Sequence, residues 1–389
     1  TRKEVRLLTS DVSEKLKLFH MKDRFFATQV LMKNDDHGPR GDKPPVIPYV
    51  PIENRSRIYT GTIGNGSYNH HSHLAKYNGR YYFAWSNGIV NEEDQGQRVL
   101  VSSSGDAVHW SKPSCIVGGG EDTTVRNCVS LYVANDNLYA FVMSEIAIKD
   151  ASVVGMRRIE DGTSSVEVYL MKDNEKWEKV HSFNKRIRWI FETPKMTNDG
   201  RLLTVCCTVN EGPAVLLWSG SDIFQEPEFI KVPEPEGAKF PYGESSWYQT
   251  CDGRIVVFWR DEGGSCRLYV NYSDDGGKNF VSPMLSDIPD SMSRVAAGRL
   301  NDGRFFICSN AVPTFLDRMH LILMLSDDGY LFNKVYMVIN DPTAQRLKGL
   351  LKTNGYQYPH CMPDGDKMII GYSVNKEDIE CIVIDTTKI

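Results

Sequence analysis

The sequence predicts an all-β fold: a seven-bladed β-propeller with four-stranded antiparallel blades around a central channel, formed by residues 1–389 as one domain. Three observations predict it. One hairpin pattern recurs along the chain: an apolar-rich strand, a tight polar turn and a second apolar-rich strand. Its turns fall at 23, 78, 136, 199, 252, 302 and 364, spaced 50–63 residues apart, the kind of interval radial β repeats give. Long helical periodicity is missing, and only Ala344–Lys352 reads as a short helix.

Each hairpin has its own turn chemistry. The first, Phe19–Phe26, turns at Asp23. The second turns at Asn78-Gly79, a pair suited to a turn whose two central residues need positive φ. The third turns at Asn135-Asp136-Asn137. The next three share an Asp-Gly-Arg ending: Asn198-Asp199-Gly200-Arg201, Cys251-Asp252-Gly253-Arg254 and Asn301-Asp302-Gly303-Arg304. The seventh is Pro363-Asp364-Gly365-Asp366. Two proline-bearing segments, Asn34–Tyr59 and Val232–Glu244, read as extended loops.

The outer strands carry a second repeat. Ser273-Asp274-Asp275-Gly276-Gly277-Lys278-Asn279-Phe280 has the form Ser-x-Asp-x-Gly-x-x-aromatic, in which Ser and Asp bind backbone amides and Gly takes positive φ. It resembles the Asp-box of sialidase-like propellers. Ser326–Phe332 is a shortened copy, and Ser103–Trp110 keeps only the serine and the closing aromatic.

Composition narrows the partners. A formal net charge of -5 argues against nucleic acid. No apolar run is long enough to span a membrane. Nine cysteines with no CxxC spacing argue against a zinc ribbon, and most are expected to be buried free thiols. The chain begins at Thr1, which fits a processed protein of the periplasm or the exterior, expected to be a monomer.

In a propeller, residues just before each innermost strand converge on one mouth, here called upper. They include His70, His71, His73, Arg126, Glu192, Tyr248, Arg294, Tyr358, His360 and Cys361. Histidines, arginines and tyrosines in one funnel suit a polar, anionic ligand, although such channels are also lined by residues that bind only water. Strand alternation puts His71 and His73 on one face and His70 on the other. No cofactor is expected to be required. A divalent cation in the channel could draw on His71, His73 and His360 or Cys361. On the lower face, His20 lies just before the first turn. Arg24, Arg80, Arg201, Arg254 and Arg304 follow their turns there and could pair with a carboxylate.

Tyr68-Asn69-His70-His71, Trp85-Ser86-Asn87-Gly88 and Asp94-Gln95-Gly96-Gln97-Arg98 resemble seven-bladed polysaccharide-active propellers. These are the α-L-rhamnosidases acting on arabinogalactan side chains, and the related rhamnose–glucuronate and ulvan lyases. The resemblance implies hydrolytic removal of terminal L-rhamnose α-1,4-linked to glucuronic acid. His20 would be the base, and Arg24, Arg80, Arg294, Arg304, Tyr248 and His360 would bind substrate. A lyase alternative would use His70 or His71 with Arg126, Arg157 or Arg158 to eliminate across the same linkage. Those lyases carry a further histidine where this chain has Val90, Asn91 and Glu92. A non-catalytic carbohydrate-binding propeller is the alternative outside enzymes. A sialidase would need three arginines on a carboxylate and a tyrosine–glutamate nucleophile pair. The usual Arg-Ile-Pro run near the amino end is absent.

Overall fold

The computed structural model describes residues 47–120, 123–147, 162–208, 212–242 and 244–389. His20, Arg24, Arg157, Arg158 and the first expected hairpin lie outside them. Among the described residues the sheets form six antiparallel four-stranded blades, with a fifth short strand in blade 3; five are built from strands that follow one another in the chain, and the sixth takes its outermost strand from the first strand described. The innermost strands of blades 1 and 2 are Tyr68–Tyr77 and Thr124–Ala134. Blade 3 splits its innermost strand into Ile187–Ile190 and Lys195–Met196. Ser245–Gln249, Ala296–Arg299 and Tyr356–Asp364 serve blades 4, 5 and 6. The six expected turns from 78 to 364 each follow one of these strands. Asn78, Gly79, Asn135 and Asp136 all take positive φ, at 47°, 73°, 49° and 55°.

The expectation of seven blades is corrected to six, and packing gives the reason. Six apolar clusters fill six interfaces between blades. Within the strand Ile255–Trp259, Val256 and Phe258 join the cluster toward blade 5, whereas Ile255, Val257 and Trp259 join the one toward blade 3. This is strand alternation buried on both faces. The sixth cluster joins Leu74, Phe83 and Trp85 of blade 1 directly to Ile369, Ile379 and Cys381 of blade 6, so no slot remains between them. The contact is close enough that a Cβ on Gly371 would lie 2.2 Å from the Phe83 ring.

The proline-bearing segment 34–59 is also corrected where it is described. Ile52–Thr60 is a strand, paired with Asp378–Asp385 as the outermost strand of blade 6. Arg55 and Arg57 both reach the buried Glu380, at 2.9 and 2.8 Å. The short helix expected at 344–352 is absent; that segment is irregular. All nine cysteines are free, and five are buried.

The outer turns work as the sequence implies. Ser273 Oγ accepts from Gly277 N at 2.8 Å, and Asp275 Oδ1 accepts from the amides of Lys278 and Asn279. The degenerate copy keeps more than its serine and aromatic: Asp106 Oδ1 accepts from the amides of Val108 and His109 at 2.9 and 2.8 Å.

Candidate functional site

The polar residues of the upper mouth meet where blades 1, 4, 5 and 6 come together. Two innermost strands are bulged at the same level. Pairing slips between His70 and His73 in blade 1, and between Gln357 and His360 in blade 6. Inside each bulge one residue is left-handed: His71 at φ 55° and Tyr358 at φ 53°. Bulged residues in strained conformations re-aim side chains, and both rings turn into the channel. Their centroids lie 5.6 Å apart, and His70 packs on Tyr358 at 4.0 Å.

Tyr358 is the hub. Its hydroxyl donates to Glu244 Oε1 at 2.6 Å and accepts from Arg260 Nη1 at 2.8 Å. Arg260 also pairs with Glu244 and Glu262. The Arg318 guanidinium stands over the Tyr358 ring, 5.5 Å from its centroid, held by Gln357 Oε1 and the Met292 carbonyl. Arg294 Nη1 meets His73 Nε2 at 3.1 Å. All three arginines are buried, and the Nε of each has no hydrogen-bond partner. Three buried guanidinium groups brought together in one site make it strongly positive, which suits an anionic ligand.

The charges are set by this packing. Burial works to raise the Glu244 carboxyl, but Arg260 and the Tyr358 hydrogen bond outweigh it and hold the group below the usual range. Burial pushes the Tyr358 hydroxyl up, and the Arg260 charge opposes that. Burial pulls His71 down to about 4 and His360 to about 3, so both imidazoles are neutral at pH 7.

Beside Tyr358, Glu92 accepts from the Tyr68 hydroxyl at 2.9 Å and pairs with Lys376 at 2.6 Å, and its Oε1 lies 3.9 Å from His71 Nε2. His70, His71 and Glu92 each bring one ligand atom within 4.8 Å of the others. The cation set expected from the sequence was His71 and His73 with His360 or Cys361. The bulge explains the difference, because it breaks the two-residue alternation and brings His70 and His71 to the same place. His73 and His360 instead pair lower down, rings 5.0 Å apart. His360 Nδ1 accepts from Leu74 N there, above a cavity of about 400 Å³ that it lines with Arg294, Lys195 and Glu192.

The other expected positions lie away from this cluster. Tyr248 points between blades 4 and 5, where its hydroxyl donates to the Gly329 carbonyl at 2.5 Å. Arg126 lies outside the cluster, its charge acting on Tyr169. Arg80 meets Ser103 Oγ at 3.1 Å. Arg304 is held by Asp302 and by the carbonyls of Thr386 and Ile389. Arg201 and Arg254 pair likewise with Asp199 and Asp274, so these three turn arginines hold the lower rim together.

Five residues of the cluster went unseen in the sequence: Glu92, Glu244, Arg260, Arg318 and Lys376. Four of them sit in one topological position, the loop after a blade's second strand, in blades 1, 4, 5 and 6. That loop opens on the upper face as surely as the residues before a first strand do. Glu244 immediately precedes the innermost strand of blade 4.

The BNR repeat-like domain family matches residues 79–370. The chain belongs to this family. Among solved structures, the BNR-repeat chain is similar to a protein of unknown function from Dyadobacter fermentans. The TM-score is 0.67 at 15% identity, over 87% of this chain and 100% of that one. A sialidase matches with TM-score 0.61 at 17% identity over 87% of this chain, which spans about one third of that protein (33%). The leech intramolecular trans-sialidase, in complex with 2,7-anhydro-Neu5Ac, matches with TM-score 0.62 at 12% identity, over 87% of this chain and 70% of that one. At these identities the likeness is one of fold, a sialidase-like propeller. No curated protein matches the sequence.

Proposed function

We propose that this BNR-repeat propeller is a glycoside hydrolase that releases a terminal sugar bearing a carboxylate, with Tyr358 as nucleophile and Glu244 as its base. The hydrogen bond from Tyr358 to Glu244 carries the reading. In the reaction proposed, Tyr358 Oη attacks the anomeric carbon and its proton passes to Glu244 while the bond to the leaving oxygen breaks. Water then attacks the anomeric carbon and cleaves the glycosyl–tyrosine bond; Glu244 returns its proton to the Tyr358 oxygen, and the proton that water releases passes through solvent to the departed leaving oxygen. Most glycosidases use a carboxylate as nucleophile, with a tyrosine taking that part in sialidases. A phenol makes sense when the substrate's own carboxylate is bonded to the anomeric carbon, because a second carboxylate there would be repelled. Arg260, Arg294 and Arg318, each with a bare Nε, supply the charge to hold that substrate group. The preferred substrate class is therefore a 2-keto sugar acid of the sialic type, consistent with the names of the structural neighbours.

The rhamnosidase reading depended on His20 and Arg24, which lie outside the described residues. Its substrate feature, a sugar carboxylate, is kept here. The test is a panel of aryl glycosides of sialic acid, glucuronic acid and L-rhamnose, whose good leaving groups depart without a proton donor. Release from the sialoside that is lost in Tyr358→Phe supports the reading. Release from the rhamnoside, or an ultraviolet-absorbing unsaturated product formed without Tyr358, overturns it in favour of the rhamnosidase or lyase.

A further inference from the structure

We propose that His70, His71 and Glu92 form a binding site for a divalent transition ion, with zinc first in preference. The inference stands apart from the sugar chemistry, since neither histidine nor Glu92 has a part in the nucleophile pair.

Four observations carry it. First, the three ligand atoms converge within 4.8 Å of one another, and two imidazoles with one carboxylate make a ligand set zinc takes in open, three-ligand sites. Second, His70 Nε2 is fully buried and has no hydrogen-bond partner. In the tautomer whose Nδ1–H donates to Ser373, this nitrogen carries the lone pair and can serve as a metal ligand. Third, the opposite nitrogens are already tethered: His70 Nδ1 to Ser373 Oγ at 2.8 Å, and His71 Nδ1 to Ser86 Oγ at 3.1 Å. Metal-binding histidines are commonly oriented through the second nitrogen in this way. Fourth, His71 is held in a left-handed backbone that brings its ring beside His70, centroids 4.7 Å apart.

The fit requires a small movement. Ligand atoms around a tetrahedral zinc are on the order of 3.3 Å apart, given metal–ligand bonds of about 2.0–2.1 Å. Glu92 is the member that can close the gap, because it lies in the loop after Arg80–Gly88 rather than in a strand. Its Oε1 faces His71, and its Oε2 carries Lys376. Lys376 can therefore stay as an orienting partner of the carboxylate. With Lys376 and Arg318 both acting on His70, the ion needs an anionic fourth ligand, hydroxide or the carboxylate of a bound sugar.

The experiment is zinc binding by protein stripped with chelator, titrated with zinc chloride alone under reducing conditions and followed by calorimetry. One saturable site is expected. His70→Ala and Glu92→Gln should each weaken it at least tenfold, and cobalt substituted for zinc should give the visible spectrum of a four-coordinate site without thiolate bands. Should His70→Ala fold poorly, Ser373→Ala removes only a hydroxyl from the outer shell and should weaken zinc by about 10–100-fold. Absence of saturable uptake by the wild type overturns the proposal. So does uptake that neither the His70 nor the Ser373 change affects, or thiolate bands in the cobalt form. Zinc uptake by Tyr358→Phe, expected to match the wild type, keeps this result separate from any result on glycoside cleavage.

Discussion

His71 of blade 1 and Tyr358 of blade 6 occupy matching positions on neighbouring innermost strands, each the left-handed residue of a bulge, with their rings 5.6 Å apart. A non-glycine residue in this conformation costs roughly 1–2 kcal/mol. Two such costs side by side at a channel mouth point to a site held together by its surroundings, since relaxed backbone would aim both rings elsewhere.

Tyr358→Phe tests the nucleophile. Phenylalanine keeps the ring packed against His70 and under Arg318 but removes the hydroxyl. Turnover of an activated sialoside should fall by at least about 10²–10⁴-fold, the range for losing a positioned proton-transfer step. KM should move much less. Unchanged turnover would remove Tyr358 from the chemistry.

Glu244→Gln separates activity from stability. The change leaves Arg260 buried beside a neutral amide, with Glu262 as its remaining carboxylate partner. Breaking a buried pair from one side costs about 3–5 kcal/mol, and the surviving partner should bring this to the lower end. A drop in melting temperature together with lost turnover is expected. A variant as stable as the wild type would show that the pair contributes no net stability.

Acid should weaken the fold through His360. Burial and the nearby Arg294 and Lys195 pull this imidazole down to about 3, and its Nδ1 accepts from Leu74 N, which only the neutral ring can do. The unfolded ring binds its proton near pH 6.5, so the unfolded state holds more protons between about 3 and 6.5. Stability from this group is therefore complete above that window and is lost as pH falls through it. Between pH 7.5 and 5 the loss is about 1–2 kcal/mol, allowing for partial exposure. Buried Asp290, raised to about 7, acts in the opposite direction. Urea midpoints of wild type and His360→Asn at both pH values cancel that contribution, and the wild type should show the larger drop.

Gly371→Ala tests the seam between blades 6 and 1. The added Cβ would meet the buried Phe83 ring at 2.2 Å, so the two sheets must part. Overpacking of this kind costs about 1–3 kcal/mol. A second change, Phe83→Leu, should recover part of the loss by yielding space. A variant with unchanged melting temperature would mean that the seam adjusts freely.

The sequence shows where blades turn, because turns depend on local chemistry: Asn-Gly, Asp-Gly and the Ser/Asp pairs of the outer hairpins act within a few residues. It does not show how many blades close the ring, since that depends on contacts such as Phe83 with Gly371, far apart in the chain. Strand alternation predicts His71 and His73 together, and it fails where the bulge at His71 resets the count. The arginines that follow the turns looked like ligand groups, yet Arg304 is taken up by Asp302 and two carbonyls. Arg260 and Arg318 were missed because they follow second strands rather than precede first ones.

The strand Ile52–Thr60 completes the blade that also holds Asp378–Asp385. Its partners are more than 300 residues away, so during synthesis it must wait, unpaired, until Asp378–Asp385 has left the ribosome. His71 and Tyr358 lie on opposite sides of that same seam and meet only when it shuts. Activity should therefore be the last property to appear on refolding, later than bulk β structure, with a lag set by the search of the first strand of the propeller for the last. A chain cut between blades 3 and 4 could regain sheet in each half yet stay inactive until the halves join, which makes the site itself a reporter of ring closure.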